Sequence, residues 1–129
     1  MNPAAGGGEA VWLHGAWLSA ETWAGRAEGR CLNLPGHGGM PRAAEPTAAG
    51  FADRLMPLLP EGRFALVGHS LGAMVALEIA ARRAEDIRAL VLAETAYTMQ
   101  ARWIDRKGAG LAVGLTRWLG PKGVARLAG

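Results

Sequence analysis

The chain has 129 residues, a length that allows one domain with a single hydrophobic core. Half of the residues are hydrophobic and 19% are charged, which excludes an intrinsically disordered protein. The net charge is +3, but six of the basic residues and only one acidic residue lie in residues 102–129, so the rest of the chain is net acidic. This distribution argues against nucleic acid as a partner of the domain.

The N-terminus and the apolar runs indicate the compartment. Residues 1–9 are small and glycine-rich, and they lack the basic region and apolar core of a secretory signal, so we predict a flexible lead-in. No apolar run reaches the ~18 residues that a transmembrane helix requires. The single cysteine, Cys31, cannot form an internal disulfide, which fits a reducing compartment. We predict a cytoplasmic protein without a membrane span; the sequence does not indicate an oligomeric state.

Short apolar runs alternate with helical patterns in the first half of the chain. The first predicted strand is Ala10 to Leu13, and Ser19 is the predicted N-cap of a helical turn over residues 20–25. The second strand, near Cys31 to Leu34, ends in a run of proline and glycine over residues 35–39, a strong breaker of regular structure.

The alternation continues through the middle of the chain. Thr47 is the predicted cap of a helix whose apolar face comprises Phe51, Leu55, Leu58 and Leu59, and Pro57 and Pro60 should distort and end it. The remaining predicted elements are a strand over Phe64 to Val67, a helix over Leu71 to Arg83 and a strand over Ile87 to Ala93. Apolar strands that alternate with helices predict an α/β fold, a parallel sheet flanked by helices.

Residues 101–129 break this rhythm. Apolar residues are scattered there among basic residues and glycines, a pattern that favours amphipathic helices. We interpret the segment as a lid or packing segment; attachment to a membrane surface is the alternative.

The most informative pattern is Gly68-His69-Ser70-Leu71-Gly72, a G-x-S-x-G pentapeptide between a predicted strand and a predicted helix. In this setting the pattern is typical of a nucleophile elbow, a strained turn that exposes a serine hydroxyl. The two glycines should clear space around Ser70 and let the strand and the helix approach closely. An accidental turn in a glycine-rich protein is the alternative interpretation.

Three segments together give the chain its resemblance to the α/β-hydrolase superfamily. They are the elbow, His14-Gly15-Ala16-Trp17 after the first strand, and Leu34-Pro35-Gly36-His37-Gly38 after the second. Their order and positions resemble the family over residues 10–100. The amino-acid sequences of the three motifs are similar to those of small esterases of biotin and menaquinone pathways. The first loop also resembles plant methyl esterases and hydroxynitrile lyases.

The resemblance implies roles for five residues. Ser70 corresponds to the nucleophile, and the backbone amides of Ala16 and Leu71 to the donors that stabilise the oxyanion of a tetrahedral intermediate. Trp17, next in the loop, is the implied substrate contact. Glu94 stands at the end of the fourth strand, a position that some relatives use for the triad acid; a loop carboxylate or a substrate contact is the alternative.

The chain departs from the family at the catalytic base. The triad order is serine, acid, histidine, yet no histidine follows Ser70 in this sequence. We expect none of the three histidines to be the base. The resemblance implies that His14 orders the oxyanion loop, His37 lies in a glycine turn, and His69, as the neighbour of the nucleophile, does not readily reach its oxygen. The resemblance implies that the sequence begins at the third strand of the family sheet, with spatial order 2-1-3-4, and ends in a helical cap. The expected organisation is therefore a flexible N-terminus (1–9), an incomplete core (10–100) and the start of a cap or lid (101–129).

Three hypotheses for function follow. The first is a serine hydrolase, an esterase acting through an acyl-enzyme on a small ester-like substrate, with its acid and histidine outside this chain. The second is a non-catalytic fragment or pseudo-hydrolase that binds a ligand or partner. The third is a lyase or C–C hydrolase on the same scaffold. No metal or cofactor is predicted, because the histidines are dispersed, the cysteine has no partner and no phosphate-binding glycine motif occurs.

Overall fold

The computed structural model describes residues 8–95, and these form one parallel sheet flanked by helices. The strands are β1 (Ala10–Leu13), β2 (Arg30–Leu32), β3 (Phe64–His69) and β4 (Ile87–Ala93). The helices are α1 (Ala48–Leu55) and α2 (Leu71–Arg82), with short 3-10 turns at Ala20–Trp23, Met56–Leu58 and Ala84–Asp86. The predicted α/β class is confirmed.

The strands lie side by side in the order β2-β1-β3-β4, and every neighbouring pair is parallel. Trp12 of β1 is aligned with Cys31 of β2 on one side and with Val67 of β3 on the other, and Val67 is in turn aligned with Val91 of β4. Because all strands run the same way, their carboxyl ends share one edge of the sheet. The loops that follow β1, β2 and β3 therefore meet at this edge, where open α/β sheets place their ligands.

The core lies between the sheet and the two helices. All of β3 before His69 is buried, as a run of apolar residues in a covered parallel strand requires. The fully buried apolar side chains include Val11, Leu13, Leu55, Phe64, Leu66, Val75 and Ile79. Each buried side chain of this size stabilises the fold by roughly 1.5–3 kcal/mol.

Helix α1 begins as predicted and ends earlier than predicted. The Thr47 hydroxyl accepts a hydrogen bond from the Gly50 amide at 3.0 Å, which caps the first turn. The helix ends at Leu55 and tightens into the 3-10 turn that contains Pro57. This turn changes the phase of the side chains, so that Leu59 is buried while Leu58 is 42% exposed. The prediction that Leu58 shares the apolar face is therefore wrong.

The second strand begins and ends earlier than predicted, for a reason found at its end. Asn33 follows the strand, and its side-chain oxygen accepts from the Ala20 amide at 2.7 Å. Its side-chain nitrogen donates to the Gly38 carbonyl at 3.2 Å. Asn33 thereby ties the chain to two loops instead of extending the ladder. Cys31 lies in the strand and is half-buried.

Two further predictions concern the end of β3 and the segment over residues 101–129. β3 continues two residues beyond the predicted end, to His69, so the strand reaches the elbow itself. The predicted lid or packing segment over residues 101–129 lies outside the described residues. Among residues 8–95 no helix combines the length and apolar character needed to cross a bilayer.

Candidate active site

Ser70 occupies the turn between β3 and α2, in the conformation that the pentapeptide predicts. Its φ is 53° and its ψ is −116°, a backbone conformation that non-glycine residues seldom adopt and that costs on the order of 1–3 kcal/mol. The Ser70 amide donates to the carbonyl of Ala93 at 2.8 Å, which fixes the turn to the end of β4. The Ser70 hydroxyl makes no capping hydrogen bond to α2. The turn is therefore held by its backbone, and the hydroxyl is not used to hold it.

The two glycines of the pentapeptide permit close backbone approach. A side-chain carbon at Gly68 would lie 2.5 Å from the Gly72 carbonyl oxygen and 2.6 Å from the Ala73 Cα. A side-chain carbon at Gly72 would lie 2.5 Å from the carbonyl oxygen of Leu13 in β1. Both are separations that real side chains do not show, so the helix could not approach the sheet with larger residues. The prediction that both glycines let the strand and the helix approach closely is confirmed.

The loop after β1, here called the β1 loop (His14 to Ser19), lies against the elbow. A side-chain carbon at Gly15 would stand 2.8 Å from Nδ1 of His69 and 3.4 Å from Cβ of Ser70. Within residues 8–95, the amides of Ala16 and Leu71 donate no hydrogen bond. Ala16 belongs to the β1 loop and Leu71 is the first residue of α2. Each of the two segments that meet at Ser70 therefore carries one free backbone donor.

His14 fixes the shape of the β1 loop from the inside. Its side chain is fully buried, with Nδ1 2.7 Å from the Gly15 carbonyl oxygen and Nε2 2.9 Å from the Leu34 amide. Because the Leu34 amide is a donor, Nε2 must accept, and the proton lies on Nδ1 and is donated to Gly15. Burial lowers the pKa of His14, and the neighbouring His37 acts in the same direction, while the bond to Gly15 opposes both. His14 is therefore a neutral link between the β1 loop and the loop after β2.

Glu94 follows β4 directly and forms a pair with His69. Its Oε2 atom lies 2.8 Å from Nε2 of His69, and its φ is 51°, in the left-handed region. The His69 ring is 29% exposed and the Glu94 carboxylate is 79% exposed. The ring therefore has Glu94 at one nitrogen and the Gly15 backbone near the other. Glu94 was predicted as a possible triad acid; that assignment stays a prediction, and the partner of its carboxylate here is His69.

The predicted site residues fall into two groups. Ser70, Leu71 and Ala16 lie on segments that meet at the carboxyl edge of the sheet, and Glu94 joins them through His69. Trp17 is on the same loop as Ala16, with a φ of 66° and an indole that is 63% exposed, and the neighbouring Leu18 is 40% exposed. The β1 loop thus presents an apolar surface beside its free amide.

Sequence reasoning missed the two side chains that fix these loops. The pairing of His69 with Glu94 depends on the register of β3 against β4, which aligns His69 with Ala93. The Asn33 clasp depends on two loops that are distant in sequence. For the His69–Glu94 pair, the only signal in the sequence was the position of Glu94 at the end of a predicted strand. For the clasp, the only signal was a polar residue, Asn33, just before Leu34.

The three histidines all have partners other than Ser70. His14 uses both of its nitrogens, His37 lies with Nδ1 3.0 Å from the Pro35 carbonyl oxygen, and His69 pairs with Glu94. In the described part of the chain no imidazole forms a hydrogen bond with Ser70. Residues 8–95 also contain no group of three or more histidine, cysteine or acidic side chains placed to hold a metal ion.

Comparison with known proteins gives a family match over most of the chain. The model of the alpha/beta hydrolase family matches residues 10–128. The chain is similar to the pimeloyl-[acyl-carrier protein] methyl ester esterase of Aromatoleum aromaticum, with 38% identity over 92 residues. That alignment covers 66% of this chain and 36% of the esterase.

Solved structures show the same architecture. A marine microorganism esterase superposes with a TM-score of 0.66 at 20% identity, covering 81% of this chain and 46% of that one. An N-acyl homoserine lactonase, crystallised with N-butanoyl homoserine, gives 0.57 at 29% identity and 69% and 38% coverage. The thioesterase domain from the curacin biosynthetic pathway gives 0.57 at 25% identity, with 81% and 43% coverage. The chain spans less than half the length of each of these proteins.

Proposed function

The chain belongs to the alpha/beta hydrolase family, and on this premise we propose that it carries the nucleophile and oxyanion hole of a serine hydrolase that cleaves carboxylic esters. The observation that carries the proposal is the conformation of Ser70. A serine with a φ of 53° between a parallel strand and a helix, with a hydroxyl that does not cap the helix, supports the proposal of a nucleophile elbow.

The proposed reaction proceeds through an acyl-enzyme. The Ser70 oxygen attacks the ester carbonyl carbon while a base removes the hydroxyl proton, which gives a tetrahedral intermediate with a negative oxygen. The intermediate then collapses, the bond to the leaving oxygen breaks, and the leaving alcohol takes up a proton. Water repeats the sequence on the acyl-Ser70 ester, releasing the carboxylic acid and restoring the hydroxyl.

We assign the oxyanion hole to the amides of Ala16 and Leu71. Both amides are free in the described residues and belong to the two segments that meet at Ser70. Leu71 is also the first residue of α2, a helix of 12 residues, whose N-terminal dipole favours a negative charge. Loss of one such donor costs about 2.7–4 kcal/mol of transition-state stabilisation in a comparable enzyme.

The base and the acid are proposed to come from outside this sequence. Each of the three histidines already has a partner other than Ser70, and no histidine follows Ser70 in the chain. The similar esterase is considerably longer than the matched region, since the alignment covers 36% of it. A histidine and a carboxylate from further chain therefore complete the triad in this proposal.

The proposed substrate is a small ester with an apolar acyl or alcohol group. The exposed side chains of Trp17 and Leu18 provide an apolar surface on the loop that carries the Ala16 amide. Two of the similar proteins, at 29% and 38% identity, are named as a lactonase and a methyl ester esterase. Both names denote cleavage of a bond between an acyl carbon and oxygen.

The non-catalytic alternative is favoured by one observation, the missing imidazole beside Ser70. A protein of this kind would keep the loops and bind a ligand without turning it over. Sequencing the gene past the codon for Gly129 separates the two proposals. A frame that continues into a strand ending in an acid and then a loop with a histidine supports the hydrolase. A stop codon directly after Gly129 supports the non-catalytic alternative.

The activity test uses the protein expressed from its complete reading frame, with p-nitrophenyl butyrate as the ester. Ser70→Ala should reduce hydrolysis to the rate of buffer alone, because the acyl-enzyme cannot form. Ser19→Ala is the matched control, since Ser19 is the other serine of this sequence and caps a turn in the β1 loop region. Equal hydrolysis by the parent protein and the Ser70→Ala variant would contradict the proposal.

A further inference from the structure

We propose that Glu94 is a positioning residue that acts through His69 to hold the β1 loop at a fixed separation from Ser70. The inference rests on the proposed function where it names Ser70 as the nucleophile and the Ala16 amide as an oxyanion donor. The geometric part of the inference, a clamp between three strand ends, stands on the contacts alone.

The first half of the clamp joins the ends of β3 and β4. The last residue of each strand and the residue that follows it take part: His69 and Ser70 bind Glu94 and Ala93. The Ser70 amide donates to the Ala93 carbonyl at 2.8 Å, and Nε2 of His69 lies 2.8 Å from Oε2 of Glu94. The backbone bond fixes the turn, and the side-chain bond fixes the orientation of the imidazole ring.

The second half of the clamp is the contact between the ring and the β1 loop. A side-chain carbon at Gly15 would stand 2.8 Å from Nδ1 and 3.1 Å from Cε1 of His69, so the Gly15 backbone is packed directly on the ring. The ring is thus a spacer with Glu94 at one nitrogen and Gly15 near the other. Any rotation of His69 changes the position available to Gly15, and with it the position of the Ala16 amide.

The backbone of Glu94 shows that its placement is specific. Its φ of 51° lies in the left-handed region, which is unfavourable for a residue with a side chain. A carboxylate that served as the triad acid would instead orient the base that faces Ser70. The observed partner of Glu94 is the ring that abuts the β1 loop, which is why we assign it a positioning role.

The kinetic test follows the rate of labelling of Ser70 by a fluorophosphonate, separated into a binding constant and a maximal rate. Glu94→Ala should lower the maximal rate at least about 10-fold and leave the binding constant unchanged, because small displacements of catalytic groups have effects up to on the order of 10²-fold. Glu94→Gln should retain most of the rate, since the amide oxygen still accepts from the imidazole. Glu61→Ala, which removes one negative charge from an exposed position, is the matched control and should behave as the parent protein.

A double-mutant cycle tests whether Glu94 acts through His69. In a His69→Ala background, Glu94→Ala should change the labelling rate no further, because the ring that transmits its effect is absent. Equal losses in Glu94→Gln and Glu94→Ala, or a further loss in the double variant, would overturn the proposal and favour a role as the triad acid.

The contacts of the clamp can also be tested by measurements that do not depend on a reaction at Ser70. Nuclear magnetic resonance of the protein expressed from its complete reading frame should show that Glu94→Ala speeds hydrogen exchange at the Gly15 and Ala16 amides and leaves Leu66 unchanged. The ring nitrogens of His69 should report the proton on Nε2 in the parent protein, a preference that Glu94→Ala removes and Glu94→Gln keeps. Unchanged exchange and an unchanged ring signature in Glu94→Ala would overturn the clamp.

The two kinds of failure are distinguishable. Absence of selective labelling at Ser70 in the parent protein contradicts the proposed function, while the exchange measurement still decides the clamp. Selective labelling that is equal in the parent, the Glu94→Ala variant and the Glu61→Ala control leaves the nucleophile in place and removes the positioning role.

Discussion

Substitution of His14 by alanine tests whether the β1 loop is held by a buried neutral imidazole. The side chain is fully buried and bridges the Gly15 carbonyl and the Leu34 amide, at 2.7 Å and 2.9 Å. Both Gly15 and Leu34 are themselves buried, so His14→Ala leaves one acceptor and one donor without partners and away from water. Each unpaired buried group costs about 1–3 kcal/mol, which gives a loss of roughly 2–6 kcal/mol in the free energy of unfolding.

The assay is urea unfolding of the parent chain and its variants, followed by circular dichroism at mildly alkaline pH. Since domains of this size are stable by only about 5–15 kcal/mol, His14→Ala is paired with His14→Gln, in which the amide replaces one of the two bonds and the loss is about half as large. His37→Ala is the control. Its imidazole is half-buried and has one backbone partner, the Pro35 carbonyl, so its loss should be about 0.5–1.5 kcal/mol.

The result that refutes this reasoning is a His14→Ala variant no less stable than the His37→Ala variant. Such a result would mean that the β1 loop keeps its shape without the imidazole bridge. The free amide of Ala16 would then owe its position to other contacts, and the assignment of an oxyanion donor to this loop would lose its structural support.

Three further predictions concern single groups of the described fold. Burial lowers the pKa of His14 below its ordinary value of 6.5, so the unfolded chain binds this proton at a higher pH than the folded chain does. The contribution of neutral His14 to the free energy of unfolding is therefore complete above pH 6.5 and is lost as the pH falls toward the lowered pKa. In urea unfolding measured across this pH range, the His14→Gln variant should lack the loss of stability that protonation of His14 causes. Asn33→Asp should cost about 1 kcal/mol by urea unfolding, because the carboxylate still accepts from Ala20 and cannot donate to Gly38, and a variant as stable as the parent would contradict the clasp. Burial raises the pKa of the Cys31 thiol, so its reaction with a disulfide reagent near pH 8 should be slower than that of glutathione, and an equal rate would show an exposed thiolate.

Much of the fold could be predicted because its signals are local. The apolar runs of β1 and β3 stand next to glycine, and Thr47 and Ser19 are caps whose side chains bond as their positions indicate. The strand order 2-1-3-4 came from the family resemblance, and the parallel ladder confirms it. The predictions that failed concerned the ends of helices and strands and the side that a residue faces. Leu58 is exposed, for example, because a 3-10 turn changed the period of the apolar pattern.

In the candidate site, too, the features with local sequence signals could be predicted and the contacts between distant residues could not. The strained conformation of Ser70 could be predicted because the flanking glycines leave a local steric record in the sequence. The pairing of His69 with Glu94 joins residues 25 positions apart and depends on the register of two strands. No local pattern encodes a register, so a contact that determines the spacing of the site was visible only in the folded chain.

The central claim is that Ser70 is an activated nucleophile in an esterase of this family. The most direct measurement treats the protein, expressed from its complete reading frame, with a fluorophosphonate and locates the adduct by peptide mass spectrometry. We predict rapid labelling of Ser70 and none of Ser19, the other serine of this sequence, with the reaction abolished in Ser70→Ala. Labelling of Ser70 no faster than that of Ser19 would contradict the claim and leave the non-catalytic alternative.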